Sequence, residues 1–211
     1  MSKKKTAKAV DNVACNIASN VASNVVSSGT NLVVCAYEGT DNQLSKVWEK
    51  MTGVKPVVIT TGPDADIRDI LAGIIADNNV ADDFILAPAN CIPCSNISME
   101  ELATPLVFLD VQGNKVYGER LPKPFSKEKL VEMLPSDGQT SEEFLKDYFK
   151  KNLHRPIEAG FRFGNIVTPV YRANPCEHLV IEAFVRKKFV FATPQGYAAI
   201  THLIDQYLLN E

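Results

Sequence analysis

The sequence predicts an α/β protein: an open, mostly parallel sheet flanked by helices, preceded by an N-terminal helical or extended arm. Three observations carry this expectation. Short apolar runs, LVVCAY (32–37), PVVIT (56–60) and DFILAP (83–88), read as strands buried on both faces. The segments between them place apolar residues at helical spacing, and strand-helix-strand-helix-strand is the opening of a sheet whose parallel neighbours are joined by crossovers. Ahead of Leu32 the pattern changes to a four-residue repeat, so the chain divides into an arm, 1–31, and an α/β domain, 32–211.

Each element has its own signals. Thr40-Asp41 caps a first helix, Leu44, Val47, Trp48 and Met51 form its inner face, and Gly53 ends it. Thr61-Gly62-Pro63 turns the chain into a second helix, 64–77, with Ile67, Ile70, Leu71, Ile74 and Ile75 inward. A third strand at 83–88 leaves Asp82 and Asp83 ahead of it, at the sheet end opposite the strand C-termini. LVFLDV (106–111) and KVYG (115–118) flank Gln112-Gly113-Asn114, a hairpin signal. Amphipathic helices are expected at 126–134, capped by Ser126, and at 141–151, opened by Ser141-Glu142-Glu143. Residues 156–175 read as loop or short strand, and helices at 178–186 and 197–209 enclose the strand FVFAT (189–193).

Composition sets the outer limits. With 211 residues, 45% of them apolar, one core is expected. A net charge of −3 gives no general attraction for nucleic acid, and Lys3, Lys4, Lys5 and Lys8 read as a solvated end. No run approaches the ~20 apolar residues that cross a bilayer, so no membrane association is expected. The start carries Lys8, Asp11 and Asn12 and is too polar for a signal core, so the chain is expected to be unsecreted and cytoplasmic. Cys15, Cys35, Cys91, Cys94 and Cys176 are odd in number and irregularly spaced, as in a reducing compartment.

IIADNNVADDFILAP (74–88), ERLPKPFSKEKLVEML (119–134) and LKDYFKKN (145–152), in this order, resemble glycosyltransferase-like proteins with the GT-A nucleotide-diphosphosugar transferase fold, in particular their capsule-type and tailed-phage members. The similarity covers roughly residues 32–190. It implies a GT-A-like sheet with ligands beyond the carboxyl ends of the strands, in the loops after Tyr37, Thr60 and Pro88. It also implies Glu38, Asp64 and Asn90 as nucleotide-binding positions. In the family a run like Asp82-Asp83-Phe84-Ile85-Leu86 leads into paired acids, because a divalent ion bridging a diphosphate needs oxygen ligands. This chain has Pro88, Ala89 and Asn90 there, and Arg120 before Leu121-Pro122 where the family has a histidine.

Other chemistry-bearing residues are sparse. Cys91-Ile92-Pro93-Cys94 admits a redox pair, half a zinc site completed by Cys176 and His178, or small buried thiols. The stretch Ala103-Thr104-Pro105 plus LVFLDVQGNKVYG is similar to the later half of a thioredoxin-like domain, but about ten residues between Cys94 and Thr104 are too few for that fold. Arg120, Arg155 and Arg162, with Arg172 nearby, are candidates for holding an anion such as a diphosphate. No Gly-rich phosphate loop is present.

In the arm, Asn12, Asn16, Asn20 and Asn24 lead each repeat and Val13, Ile17, Val21 and Val25 follow. On a helix a four-residue period drifts by roughly 40° per repeat, which lays the four apolar residues along one slowly winding stripe. Asn and Ser are indifferent helix formers, so the segment needs a partner to order it. The expected role is therefore a non-catalytic structural or assembly protein on a degenerate glycosyltransferase-like domain. Its arm docks onto further copies in a homo-oligomer or onto subunits of a larger assembly, with host cytoplasm or a phage virion as the setting and no cofactor. The alternative is an active glycosyltransferase using a nucleotide-diphosphosugar with Mn or Mg, its acids drawn from Glu38, Asp64 or Asp110.

Overall fold

The computed structural model describes residues 30–89, 91–103, 106–109, 115–117, 122–134, 138–152, 162–163 and 170–210. The arm stripe of Val13, Ile17, Val21 and Val25 lies outside these residues, as do Asn90, Asp110, Arg120 and Arg155.

The chain is α/β, with a mostly parallel sheet flanked by helices. Its strands are β1 (Thr30–Ala36), β2 (Val57–Thr60), β3 (Val80–Ala87) and a later strand, Lys123–Ser126. β1 lies between β2 and β3, parallel to both, and Lys123–Ser126 runs antiparallel on the far side of β3. The helices α1 (Asp41–Thr52) and α2 (Ile67–Ala76) form the two crossovers.

β1 shows why an unbroken apolar run was needed. Leu32, Val34 and Ala36 belong to one buried cluster, Val33 and Cys35 to another, so successive side chains point into different cores. The first core is closed by Leu44, Val47 and Trp48 of α1 and by the C-terminal elements α6 (Glu177–Arg186) and α7 (Pro194–Ile204). The second is closed by α2, by α4 (Lys127–Met133) and by α5 (Ser141–Asn152), which contributes Phe144, Leu145, Tyr148 and Phe149.

Two smaller sheets complete the fold. β4 (Cys91–Pro93) pairs antiparallel with β10 (Phe189–Ala192), and β10 pairs parallel with β9 (Val170–Tyr171). β5 (Leu106–Leu109) and β6 (Lys115–Tyr117) form the expected antiparallel pair, with Phe108 opposite Val116, and β8 (Arg162–Phe163) adds parallel to β5. The strand Lys123–Ser126 is β7, and α3 spans Met99–Ala103.

Several boundaries differ from the sequence-based expectation for definite reasons. β3 begins at Val80, so Asp82 and Asp83 lie inside the strand, exposed, rather than ahead of it. Its register against β1 shifts between Thr30 and Leu32, which breaks the simple alternation. α2 starts at Ile67 instead of 64 because Asp66, in extended conformation, is the cap: its carboxylate accepts from the Arg68 backbone N–H at 2.8 Å. Ser126 stands at the start of α4, but its hydroxyl makes no capping bond. Gly53 ends α1 in the left-handed region, φ 72, as expected of a helix-stopping glycine.

Candidate functional site

The carboxyl ends of β1, β2 and β3 open onto a cleft of about 300 Å³. Cys35 and Tyr37 come from the end of β1, Thr61 and Pro63 from the loop after β2, and Leu86 and Ala89 from the end of β3. Three local features build it. Thr40 donates its backbone N–H to the Tyr37 carbonyl at 3.0 Å, with Gly39 at φ 81 inside that turn, a conformation glycine adopts without strain. Thr61 N–H donates to the Ala36 carbonyl at 2.8 Å and extends the β1–β2 pairing into the loop. Cys91 N–H donates to the Pro88 carbonyl at 3.0 Å, closing a tight connection from β3 into β4.

Glu38 and Asp64 flank this cleft beside the lining residues Tyr37 and Pro63, and both are exposed. Asn90 follows the lining residue Ala89 in sequence but lies outside the described residues. Glu38 and Asp64 thus lie at the carboxyl ends of the strands, whereas the side chains that line the cleft belong to their neighbours. No carboxylate occurs among its described lining residues.

Ala89 is the informative position. It is 8% exposed and packs into the second core with Val33, Cys35, Leu71 and Leu86. Of Pro88, Ala89 and Asn90, which the resemblance sets against the family's acidic pair, Ala89 is thus a small apolar side chain serving the core, and Asn90 lies outside the described residues. An unpaired carboxylate in place of the Ala89 side chain would face a desolvation cost of several kcal/mol.

The rim of the cleft is held by a polar cluster. Asp66 accepts from Arg68 Nη2 at 2.6 Å and from the Ser141 hydroxyl at 3.0 Å, and Arg68 Nη1 donates to the Gln139 carbonyl. The Arg68 hydrogen bonds hold the Asp66 carboxyl well below the usual carboxylate range, with a smaller contribution from Ser141. Through these bonds α2 is tied to the start of α5. Asp66 was not singled out in the sequence; its signal, an acid directly before a helical apolar pattern, was assigned to Asp64.

Cys91, the first residue of β4, and Cys94, just after it, are buried free thiols. Burial raises the Cys91 thiol well above its usual value, with the neighbouring Cys94 adding to the rise, and burial pushes Cys94 up to about 12. A thiol held protonated in this way is a poor nucleophile at neutral pH. The Cys91 carbonyl instead accepts from the Trp48 indole at 3.3 Å, which docks β4 onto α1. Cys176 is exposed at the start of α6. Among the described residues, no group of three or more His, Cys, Asp or Glu converges on a point where a metal ion would sit.

The arginines proposed for anion binding are not brought together among the described residues. Arg162 lies in β8, opposite Leu106. Arg172 is exposed after β9, while Arg120 and Arg155 lie outside the described residues. No helix among the described residues is long and apolar enough to cross a membrane. No protein-family model and no curated protein matches the chain.

Proposed function

We propose that this chain is a non-catalytic structural or assembly protein, built on a degenerate GT-A-like domain and attached to its neighbours through the N-terminal residues. The observation that supports it is Ala89, buried in the core among the positions that the resemblance to glycosyltransferases sets against the family's acidic pair. A cleft lies at the carboxyl ends of the strands, and no carboxylate that could neutralise a leaving diphosphate is among its described lining residues. A domain of this kind serves as a rigid body, and the stripe of Val13, Ile17, Val21 and Val25 supplies a surface for attachment. The partner is a further copy of the chain or another subunit, as in a phage particle.

A second reading, an active transferase, draws support from one feature: Glu38 and Asp64 adjoin lining residues of the cleft at the carboxyl ends of the strands. It requires Mn or Mg held by acids that do not line the cleft walls, together with a nucleotide-diphosphosugar donor. Light scattering on the full chain, over a range of concentrations, separates the readings from one side. The assembly role expects a mass above that of the monomer, lowered by the paired substitutions Ile17→Asp and Val21→Asp. A strictly monomeric chain that captures no protein partner would contradict it.

A further inference from the structure

The two edges of the β2-β1-β3-β7 sheet are unlike. At one edge β7 carries Lys123, buried at 6% exposure, and Pro124, which has no N–H to offer a further strand. A buried charge and a proline are common guards of a sheet edge. At the other edge β2 consists of Val57, Val58, Ile59 and Thr60, with neither guard. It pairs in unbroken register with β1, and among the described residues no strand lies along its other side. Val57, Val58 and Ile59 are half-buried and Thr60 is exposed, whereas Val33, Val34 and Ala36 beside them in β1 are completely buried.

The ladder fixes which residues of β2 face outward. Thr61 donates its N–H to the Ala36 carbonyl at 2.8 Å, and Ala36 lies opposite Thr60. In a parallel ladder the residues on either side of the opposed one make the bonds, so Ile59 and Thr61 turn their N–H and C=O toward β1. Alternation turns those of Val58 and Thr60 away from the sheet. We propose that β2 pairs antiparallel with β2 of a second copy of this chain, about a twofold axis at Ile59, joining the two sheets into one.

The twofold satisfies the outward groups together. With Ile59 opposite Ile59 of the second copy, Val58 faces Thr60 of the second copy, and Thr60 faces Val58 of the second copy. Each is a hydrogen-bonded pair of an antiparallel ladder and exchanges two N–H···O=C bonds. Ile59 forms the non-hydrogen-bonded pair on the axis, where Cα atoms approach to about 4.5 Å and the two side chains cover each other. The strands run in opposite directions, so exposed Lys55, ahead of one β2, comes beside the turn after the other, which carries exposed Asp64. The same opposite charges meet at both ends, as an isologous interface requires. A free peptide loses conformational entropy in making these bonds, whereas β2 of the second copy is already held extended by β1.

This surface is separate from the N-terminal residues through which the assembly role attaches the chain, and the inference goes beyond that role. A chain whose arm binds nothing still carries the edge, and an oligomer joined by the arm needs no β2 pairing.

Sedimentation velocity tests the edge on the full chain carrying Ile17→Asp and Val21→Asp, which disrupts the arm's apolar stripe. Between about 1 and about 200 µM its mass is expected to rise from monomer toward dimer. The unmodified chain run beside it reads the arm's contribution, so failure of the edge and failure of the arm are distinguishable. Thr60→Pro deletes an outward N–H at an exposed residue and should keep the chain monomeric throughout, with an unchanged circular dichroism spectrum. Lys55→Glu, which sets like charges against each other at both ends, should raise the dissociation constant about fivefold or more. Adding Asp64→Lys to it should restore the original value, a rescue that altered folding would not give, so the test holds even where Thr60→Pro disturbs β2. A mass that stays monomeric at about 200 µM, or a dimer indifferent to both Thr60→Pro and Lys55→Glu, would overturn the inference. So would a monomer whose Val58 and Thr60 amides resist hydrogen exchange, which would assign the edge to another segment of the same chain.

Discussion

A Cβ added to Gly196 would lie 2.1 Å from the carbonyl oxygen of Tyr171, so α7 and β9 meet at a distance only glycine permits. The same Tyr171 oxygen accepts from the Thr193 backbone N–H at 2.9 Å, and the Thr193 hydroxyl accepts from Gly196 N–H at 3.1 Å. The start of α7 is thus fixed against β9 by one carbonyl and one cap. Gly196→Ala forces these backbones apart, at a cost of about 1–3 kcal/mol or more. The melting temperature should fall by about 2–4 °C for each kcal/mol lost, measured by circular dichroism.

Asp66 confers a pH dependence. Its folded-state carboxyl is held below the ordinary value, so its contribution is present above the unfolded pKa of about 4 and is lost as pH falls through that value toward the lower folded one. Asp66→Ala should cost about 1 kcal/mol at pH 7, the usual loss of a helix cap, with partial exposure limiting the ion pair's share. The gap between the two proteins should narrow below about pH 4 in urea titrations. An unchanged gap at pH 3 would remove Asp66 from this role.

The thiols should divide by burial. Cys35, Cys91 and Cys94 are buried, with Cys35 and Cys94 both pushed up to about 12, whereas Cys176 is exposed. Brief treatment of the native protein with iodoacetamide at pH 8, read by peptide mass, should modify Cys176 and spare Cys35, Cys91 and Cys94. Rapid alkylation of Cys91 or Cys94 would mean that β4 opens on that timescale and would reinstate a reactive pair.

Ala89→Asp, which introduces a carboxylate just after β3, places a charge in a site 8% exposed. The loss in folding free energy should be about 2–4 kcal/mol, from desolvation of an unpaired acid. Manganese should not recover the lost stability. A manganese-dependent rise in melting temperature would show a metal site needing only that ligand.

Much of the strand pattern was legible because β1 and β10 are buried on both faces; β2, expected to be buried as well, is an edge strand and only partly buried, with Thr60 exposed. LVVCAY, PVVIT and FVFAT leave no other assignment once Gly53 and the Thr61-Gly62-Pro63 turn divide them. β7 was missed because Lys123 and Pro124 argue against a strand. Lys123 is nevertheless 6% exposed within it, and Pro124 pairs with Ile85 on the outer strand of the described sheet. β4 was missed because two cysteines drew attention to thiol chemistry, whereas burial and the pairing of Ile92 with Val190 make it a strand. The start of β3 was hidden by Asp82 and Asp83, whose exposed side chains masked a strand that begins at Val80.

The candidate site was legible only as a location. Parallel strands direct attention to their carboxyl ends, and the cleft is there, bordered by Glu38 and Asp64. Which side chains line it depends on tertiary packing. Tyr37, Ile67 and Ile70 contribute walls because α2 folds back over β1, and local spacing carries no trace of that.

The most direct measurement is nucleoside diphosphate release from a panel of uridine and guanosine diphosphosugars with manganese, with and without a chelator. The assembly role expects release no faster than in buffer alone and no nucleotide-dependent shift in melting temperature. Chelator-sensitive release, together with a stabilisation of several degrees, would contradict it and establish a working transferase.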